Sequence, residues 1–161
     1  MGTDSKSRLL EEVGEGERLP ELAYDVSATT VVLGALATRD FRPMHHDKDF
    51  AVNRNGVKDI FMNTPNLAAW FERYVTDWSG PKSRLGRMKF RIKDSVFPGD
   101  TMVFNGAVSK VGTDETGCGW AELDVEVKVG ERTCTSCAVR VALPVNDDDN
   151  PWKRGGESWQ P

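Results

Sequence analysis

The chain has 161 residues, of which 39% are hydrophobic and 29% are charged, and its formal net charge is −4. This length suits one domain of ordinary size. The acidic balance argues against a general binder of nucleic acid or anionic membranes, because no basic excess is available to neutralise phosphates. No apolar run approaches the roughly 20 residues of a membrane span. The stretch 1–17 is charged and glycine-rich without an apolar signal core, so we expect a cytoplasmic protein.

The first part of the chain predicts a leader, a short strand and a short helix. We expect residues 1–19 to form a flexible leader. Alternation of apolar and polar residues over 22–26 predicts a short strand. The β-branched run 29–32, followed by the helix-friendly run 33–38, predicts a strand edge that continues into a short helix. The sequence Asn-Arg-Asn-Gly at 53–56 predicts a turn.

The strongest helical pattern begins at Asn63 or Thr64, both good N-cap residues, and Pro65 fits the first helical turn. Apolar side chains then recur at helical spacing in a stripe too broad for a surface helix: Leu67, Trp70, Phe71, Tyr74 and Trp78. The Ser-Gly-Pro sequence at 79–81 ends the pattern. We therefore predict one long buried helix whose aromatic residues belong to the core, with the lining of a bulky ligand tunnel as the alternative role.

After this helix the hydrophobic period changes to two, which predicts antiparallel strands with one solvent-facing side. The predicted strands are 88–92, 101–111, 120–129 and 133–143. One long helix followed by such a meander indicates an α+β fold in which an antiparallel sheet curls around a central helix. We expect the acidic residues 144–161 to form an extended tail, with Trp152 and Trp159 as candidates for a partner surface.

The three cysteines are Cys118, Cys134 and Cys137, and an odd number suits a reducing compartment. The C-x-x-C sequence at 134–137 lacks the helix N-terminus of a redox pair and the second ligand pair of a zinc site. On a strand, residues three apart point to opposite faces. We therefore expect neither a metal site nor a redox function at these cysteines.

Both histidines of the chain lie in the segment Asp40-Phe41-Arg42-Pro43-Met44-His45-His46-Asp47. Pro43 prevents a plain helix, and a bend there would let the side chains of Asp40 and His45 turn toward one point. A carboxylate and an imidazole that converge are what proton-transfer chemistry needs. For an isolated pair with this spacing, a surface turn with solvated charges is the ordinary explanation.

This segment resembles the hydratase motif D-F-x-P-x-H-x-D of the MaoC-like (R)-specific enoyl-CoA hydratases, whose fold is the hotdog fold. The resemblance covers about residues 20–143, the expected hotdog domain, and includes the order of elements. The sequences at 37–41, 58–61 and 73–78 resemble, more narrowly, the catalytic small subunit of the actinobacterial heteromeric steroid side-chain enoyl-CoA hydratase. Typical single-chain members have His-Gly-Met at the start of the central helix, where this chain has Met-Asn-Thr at 62–64. That departure puts the usual straight-chain acyl pocket in doubt and favours the heteromeric subclass.

The resemblance implies hydration of the 2,3 double bond of an enoyl-CoA that carries a steroid or another bulky acyl group. Asp40 and His45 would hold one water, with His45 activating it and Asp40 relaying the proton to the α-carbon; the two assignments stay open, because a coupled pair titrates jointly. Backbone N–H groups of Asn63 and Thr64 would meet the enolate oxygen. The candidates for contacts with the CoA phosphates are Arg39, Arg42 and Lys48, with solvation at the surface as the alternative.

This chemistry requires no metal and no redox cofactor, and the substrate itself carries coenzyme A. A hotdog unit leaves an edge strand and an apolar face, and such units usually pair. By the narrower likeness we expect the partner to be a different, non-catalytic hotdog protein, in a heterodimer or heterotetramer. The alternatives are a homodimeric (R)-specific hydratase or dehydratase of ordinary acyl thioesters, a thioesterase, and a non-catalytic hotdog binding subunit.

Overall fold

The computed structural model describes residues 6–161. Its helices and strands, in chain order, are β1 (Arg18–Asp25), α1 (Ala28–Ala37), α2 (Lys48–Asn55), α3 (Thr64–Ser79), β2 (Arg84–Ile92), β3 (Thr101–Thr113), β4 (Gly119–Val129) and β5 (Arg132–Leu143). The five strands form one antiparallel sheet in the order β1-β3-β4-β5-β2. The predicted α+β class is confirmed. Over residues 6–161, no helix combines the length and the apolar character that crossing a membrane would need.

The central helix α3 packs on one face of this sheet, as the aromatic stripe predicts. Phe71 is fully buried, and its ring lies 5.3 Å from that of Phe90 on β2 and 5.1 Å from that of Phe104 on β3, measured between centroids. Tyr74 is also buried and lies 5.6 Å from Phe104. Trp70 and Trp78 are only partly buried. Phe71 and Tyr74, at the centre of the stripe, therefore belong to the core, whereas Trp70 and Trp78 lie at its margin.

The helix α1 replaces the strand edge predicted for residues 29–32. Ser27 caps the helix, because its side chain accepts a hydrogen bond from the backbone N–H of Thr30 at 3.0 Å. Val31 and Ala35 then lie one helical turn apart and are both buried. A β-branched residue costs a helix at most about 0.7 kcal/mol, and this cost is smaller than the gain from the cap and from burial of the apolar face. The prediction of a strand at this point was therefore wrong.

Helix α2 contains most of the turn predicted at 53–56. Asp47 begins it, since its carboxylate accepts a hydrogen bond from the N–H of Phe50 at 3.0 Å. Gly56 ends it in the left-handed conformation, with φ at 69°. A left-handed glycine just after the last helical residue is a common helix terminus. The turn predicted at 53–56 is thus the end of this helix.

The prediction of a flexible leader is wrong for residues 6–19, and residues 1–5 lie outside the described part of the chain. Val13 is buried in the main core. The N–H of Leu10 donates to the carbonyl of Pro144 at 2.9 Å, and the N–H of Gly16 donates to that of Val108 at 2.8 Å. The segment folds onto the domain because its few apolar residues reach the core and its backbone finds partners there.

The C-terminal residues 144–161 fold back onto the domain instead of forming the predicted extended tail. They contain two short 3₁₀ turns, Pro151–Lys153 and Gly156–Ser158. The ring of Trp159 packs on that of Trp120 with 5.0 Å between centroids. The guanidinium of Arg84 lies 3.7 Å from the centre of the Trp159 ring, a favourable cation–π arrangement. Trp159 therefore serves an intramolecular contact.

Asp114 stabilises the turn between β3 and β4 beneath this tail. Its carboxylate accepts hydrogen bonds from Trp120 Nε1 at 2.7 Å, from the Thr116 hydroxyl at 2.6 Å and from the N–H of Cys118 at 3.1 Å. Burial by itself raises the pKa of this carboxyl, but the hydrogen bonds outweigh burial and lower the pKa to about 2. Ionised Asp114 therefore contributes to the stability of the fold.

Candidate active site

The loop between α1 and α2 brings the two predicted catalytic side chains together. Past the end of α1, Arg39 adopts a left-handed conformation with φ at 55°, and Pro43 opens a 3₁₀ turn that ends at His45. His45 Nε2 lies 3.5 Å from Asp40 Oδ2. His45 is 3% exposed and the Asp40 side chain 10%. The bend at Pro43 thus brings a buried imidazole beside a carboxylate that is only partly exposed, rather than forming a solvated surface turn.

The orientation of His45 is fixed by a backbone carbonyl. His45 Nδ1 lies 2.7 Å from the carbonyl oxygen of Phe61, and the two rings meet edge to face with 5.0 Å between centroids. Because a carbonyl can only accept, Nδ1 is assigned the proton in the neutral imidazole, and Nε2 then carries the lone pair. The Nε2 lone pair faces Asp40 Oδ2, which is also an acceptor. A water molecule with two O–H donors satisfies such a pair of acceptors.

Asp40 is held from the other side by Arg42 and Asn63. Arg42 donates from Nε to Oδ1 and from Nη2 to Oδ2, each at 2.8 Å. Asn63 donates from Nδ2 to Oδ2 at 3.1 Å. The Arg42 guanidinium holds the pKa of the Asp40 carboxyl well below its usual range, with Asn63 and His45 acting in the same direction against the effect of burial. Asp40 is therefore an anion across the ordinary working range of pH.

The N-terminus of α3 opens onto a cavity that His45 also lines. This cavity has a volume of about 170 Å³, and its lining includes Arg42, His45, Phe61, Asn63, Thr64 and Ile92. The first four N–H groups of a helix have no partner within the helix, and they carry a partial positive charge. Asn63 and Thr64, whose backbone N–H groups are predicted to meet an oxyanion, thus line the same cavity as His45.

The three cationic residues predicted to contact CoA phosphates occupy different settings. Arg39 is exposed. Arg42 lines the cavity but is bound to Asp40. Lys48 lies 2.9 Å from Asp59 Oδ2 and does not line the cavity. Their roles toward CoA therefore stay predictions, and Arg42 has an additional partner that the sequence did not assign.

The neighbours of His45 in the motif lie away from the pair. His46 is exposed, and Asp47 caps α2. The side chain of Asn63 and the carbonyl of Phe61 are the parts of the site that were not predicted. A signal for Arg42 was present, because residues two apart in an extended segment point the same way and Arg42 is extended at φ −65° and ψ 131°. The carbonyl of Phe61 leaves no signal in the sequence.

A larger cavity of about 580 Å³ lies on the other face of the sheet, lined by residues of all five strands and none of the predicted catalytic residues. Within residues 6–161, no cluster of three or more histidine, cysteine or acidic residues is arranged to hold a metal ion. The three cysteines are free and buried, and burial raises the pKa of the Cys137 thiol to about 12. The carboxylate–imidazole pair is thus the chemically equipped site of the described chain.

No protein-family model matches the sequence. The sequence does match a known relative, the 3-oxo-4,17-pregnadiene-20-carboxyl-CoA hydratase beta subunit of Mycobacterium tuberculosis (strain ATCC 25618 / H37Rv). The two sequences are 43% identical over 96 residues, which cover 60% of this chain and 74% of that subunit. The chain belongs to the MaoC-like hydratase family. The resemblance seen in the motif is thereby confirmed.

Solved structures agree with this membership and establish the hotdog fold. A chain of the ChsH1-ChsH2 complex from Mycobacterium tuberculosis superposes with a TM-score of 0.75 at 34% identity, covering 81% of this MaoC-like chain and 98% of that one. The (R)-hydratase from A. caviae involved in PHA biosynthesis superposes with a TM-score of 0.74 at 22% identity, covering 83% and 99%. The second match shows the fold alone.

Proposed function

We propose that this chain is the catalytic subunit of an enoyl-CoA hydratase that adds water across the 2,3 double bond of a steroid or similarly bulky acyl-CoA. The observation that carries the proposal is the pair of acceptors, His45 Nε2 and Asp40 Oδ2, which lie 3.5 Å apart next to Asn63 at the start of α3. The relative named as a steroid-CoA hydratase subunit supports the substrate class.

The geometry of the pair suits one nucleophilic water. A water about 2.8 Å from each acceptor spans the gap and donates one hydrogen to each. His45 then takes the proton as the water oxygen attacks the β-carbon, which is general base catalysis. The pairing of Asp40 with Arg42 makes a protonated Asp40 costly, so it favours His45 as the carrier of the proton to the α-carbon, in place of the relay through Asp40 expected from the resemblance.

Charge that develops on the thioester oxygen is met at the start of α3. The N–H groups there and the partial positive charge of the helix terminus are suited to an enolate oxygen. Pro65 lacks an N–H, so Asn63 and Thr64 are the candidates. Loss of one such donor typically costs about 10²–10³ in rate.

The size and position of the cavity support a second hotdog subunit. About 170 Å³ is smaller than the roughly 300–1,000 Å³ of a site that encloses a drug-sized ligand. The cavity borders β2, an edge strand of the sheet, and Ile92 at the end of that strand is 51% exposed while it lines the cavity. A chain placed against β2 would complete the wall. We therefore propose that a second hotdog subunit covers this face. The similarity to a chain of the ChsH1-ChsH2 complex supports a different protein as this partner.

The test follows the conjugated absorbance of an enoyl thioester with the purified chain alone and with hotdog proteins encoded beside it. The substrates are 3-oxo-4,17-pregnadiene-20-carboxyl-CoA and, as the small control, crotonyl-CoA. Loss of conjugation with the steroid substrate only when a partner is present supports the proposal. Turnover of crotonyl-CoA by the chain alone would identify a homodimeric hydratase of ordinary substrates instead. Release of free CoA thiol would identify a thioesterase.

The two adjacent histidines provide a matched pair of variants. His45→Ala should abolish hydration, because it removes the proposed base. His46→Ala should leave activity unchanged, because His46 is exposed and contributes nothing to the cavity. Equal loss in both variants would show that the loop, and not the imidazole of His45, is what the reaction needs.

A further inference from the structure

The side chain of Asn63 has unusual hydrogen-bond partners for a residue at a helix N-cap. An asparagine there normally accepts a hydrogen bond from an N–H of the first helical turn, but the side chain of Asn63 makes no such bond. Its Nδ2 donates instead to Thr38 Oγ1 at 2.8 Å and to Asp40 Oδ2 at 3.1 Å. The residue is 1% exposed. Its Oδ1 is buried and has no hydrogen-bond partner among residues 6–161.

A buried Oδ1 without a hydrogen-bond partner is unfavourable, and the charge of Asp40 explains why the Asn63 side chain adopts this orientation. A buried acceptor without a donor loses its hydration and gains nothing in return. Turning the amide of Asn63 over would bring Oδ1 against the Asp40 carboxylate, and two acceptors repel. The ionised carboxylate therefore dictates the orientation of the Asn63 side chain, at the expense of the helix cap.

Arg42 reaches the same carboxylate from the solvent side. Its side chain is 64% exposed, so it contributes little to the core. Within the described chain, all of its side-chain hydrogen bonds go to the two oxygens of Asp40. Of these oxygens, Oδ2 faces His45 and receives donors from both Arg42 and Asn63. The charged or titratable groups that face Asp40 are thus Arg42 and His45.

We propose that Arg42 and Asn63 are positioning residues that fix the Asp40 carboxylate with Oδ2 toward His45 and keep it negatively charged throughout the reaction. The catalytic consequence rests on the proposed hydratase function, whereas the effect on Asp40 itself does not. A bidentate guanidinium fixes the plane of a carboxylate, which an ammonium cannot do. Displacement of a reacting group by about 1 Å can cost about 10²-fold in rate, so loss of either donor should lower kcat by about that factor.

The variant Asn63→Asp separates this role from a structural one. The introduced carboxyl is a good helix cap, so folding should be preserved. Because it lies against Asp40, the two carboxyls share a proton and the pKa of one is strongly raised. We expect kcat to lie about 10²-fold below that of the wild type at pH values above this raised pKa. Relative to the wild type at the same pH, kcat should recover as the pH falls through that pKa, since the protonated carboxyl donates to Asp40 as Asn63 does.

Asn66 is the matched control, because it lies in the same first turn of α3 and is buried. Its Nδ2 donates to the carbonyl of Thr30 at 3.3 Å, away from Asp40. Asn66→Asp should lower stability without changing the pH profile of kcat. An Asn63→Asp enzyme whose pH profile follows the wild type would overturn the positioning role of Asn63.

Arg42 is tested by Arg42→Ala with added guanidinium. We expect kcat to fall about 10²-fold with little change in KM, and millimolar guanidinium, but not methylammonium, to restore it. A rise in KM with kcat unchanged would overturn the proposal for Arg42 and assign it to binding of the CoA phosphates.

A readout independent of turnover completes the test. The carboxyl carbon of Asp40, followed by NMR during an acid titration, should titrate at higher pH in Arg42→Gln than in the wild type, because the guanidinium no longer stabilises the anion. If wild-type protein with its partner fails to hydrate either substrate but this shift is seen, the proposed function fails and the positioning role stands. Identical titration curves would overturn the positioning role even in an active hydratase.

Discussion

Asp40→Asn changes one atom of the proposed pair and keeps its shape. The amide NH₂ group fits best at the position of Oδ1, where it faces Arg42 Nε, so one of the hydrogen bonds from Arg42 is lost. The acceptor at the position of Oδ2 is retained for Asn63 and His45. Loss of one hydrogen bond to a charged group should lower the free energy of unfolding by about 1.5–3 kcal/mol. The upper part of this range does not apply, because Arg42 is largely exposed and can be solvated.

The effect on rate should be much larger than the effect on stability. Asp40→Asn removes the negative charge that faces His45 when His45 takes the proton from water. Loss of one preorganised electrostatic contact of this kind typically costs about 10²–10³ in rate, which corresponds to about 3–4 kcal/mol of activation free energy. The assay is kcat for the steroid enoyl-CoA, with urea unfolding in parallel. The matched control is Asp47→Asn, since Asn caps α2 almost as well as Asp47 does, and it should change neither quantity appreciably. An Asp40→Asn enzyme within about tenfold of wild type would refute the reasoning.

Three further predictions concern the fold. Phe71→Ala should lower the free energy of unfolding by about 3–5 kcal/mol, because a fully enclosed ring is lost, while Leu33→Ala on the exposed face of α1 should change it by less than about 0.5 kcal/mol in the same urea titration. Gly34→Ala should cost about 1–3 kcal/mol, because its methyl group would lie 1.9 Å from Asn66 Nδ2; an unchanged melting temperature would mean that α1 and α3 are not in close contact there. The pKa of Asp114 is about 2 in the folded chain against an ordinary value of 3.8, so the stabilisation that it contributes is present above about pH 4 and is lost as the pH falls through about 2. Over that pH range the free energy of unfolding of the wild type should fall by about 2 kcal/mol through Asp114, and Asp114→Asn should lack this fall. An equal dependence of the free energy of unfolding on pH in both proteins would contradict the assignment.

The parts of the fold that the sequence predicts are those with a strong periodic signal. The stripe that includes Phe71 and Tyr74 locates α3 to within a residue, and alternation locates the four strands that follow it. The first part of α1 was predicted as a strand because residues 29–32 have β-branched side chains and the start of the helix depends on one hydroxyl, that of Ser27. The folding of the two termini was missed because it depends on long-range contacts, such as that of Trp159 with Trp120, which composition does not reveal.

In the candidate site, too, some features could be predicted from the sequence and others could not. Asp40 and His45 share a short motif, and Pro43 between them implies a bend, so their convergence was predictable from local sequence. The orientation of His45 depends on the carbonyl of Phe61, and every residue has a carbonyl, so sequence cannot single this one out. The side chain of Asn63 had an ordinary expected role as a helix cap, and only the position of Asp40 in three dimensions shows that it is used elsewhere.

The most direct test of the proposed activity is the mass of the acyl-CoA product. Wild-type protein, together with its hotdog partner, would be incubated with 3-oxo-4,17-pregnadiene-20-carboxyl-CoA in oxygen-labelled water, and the intact thioester analysed by mass spectrometry. Our account predicts a thioester heavier by one water, with the label on the added hydroxyl oxygen, and no such product with His45→Ala. A substrate that stays unchanged, or a product that has lost its CoA, would contradict the account.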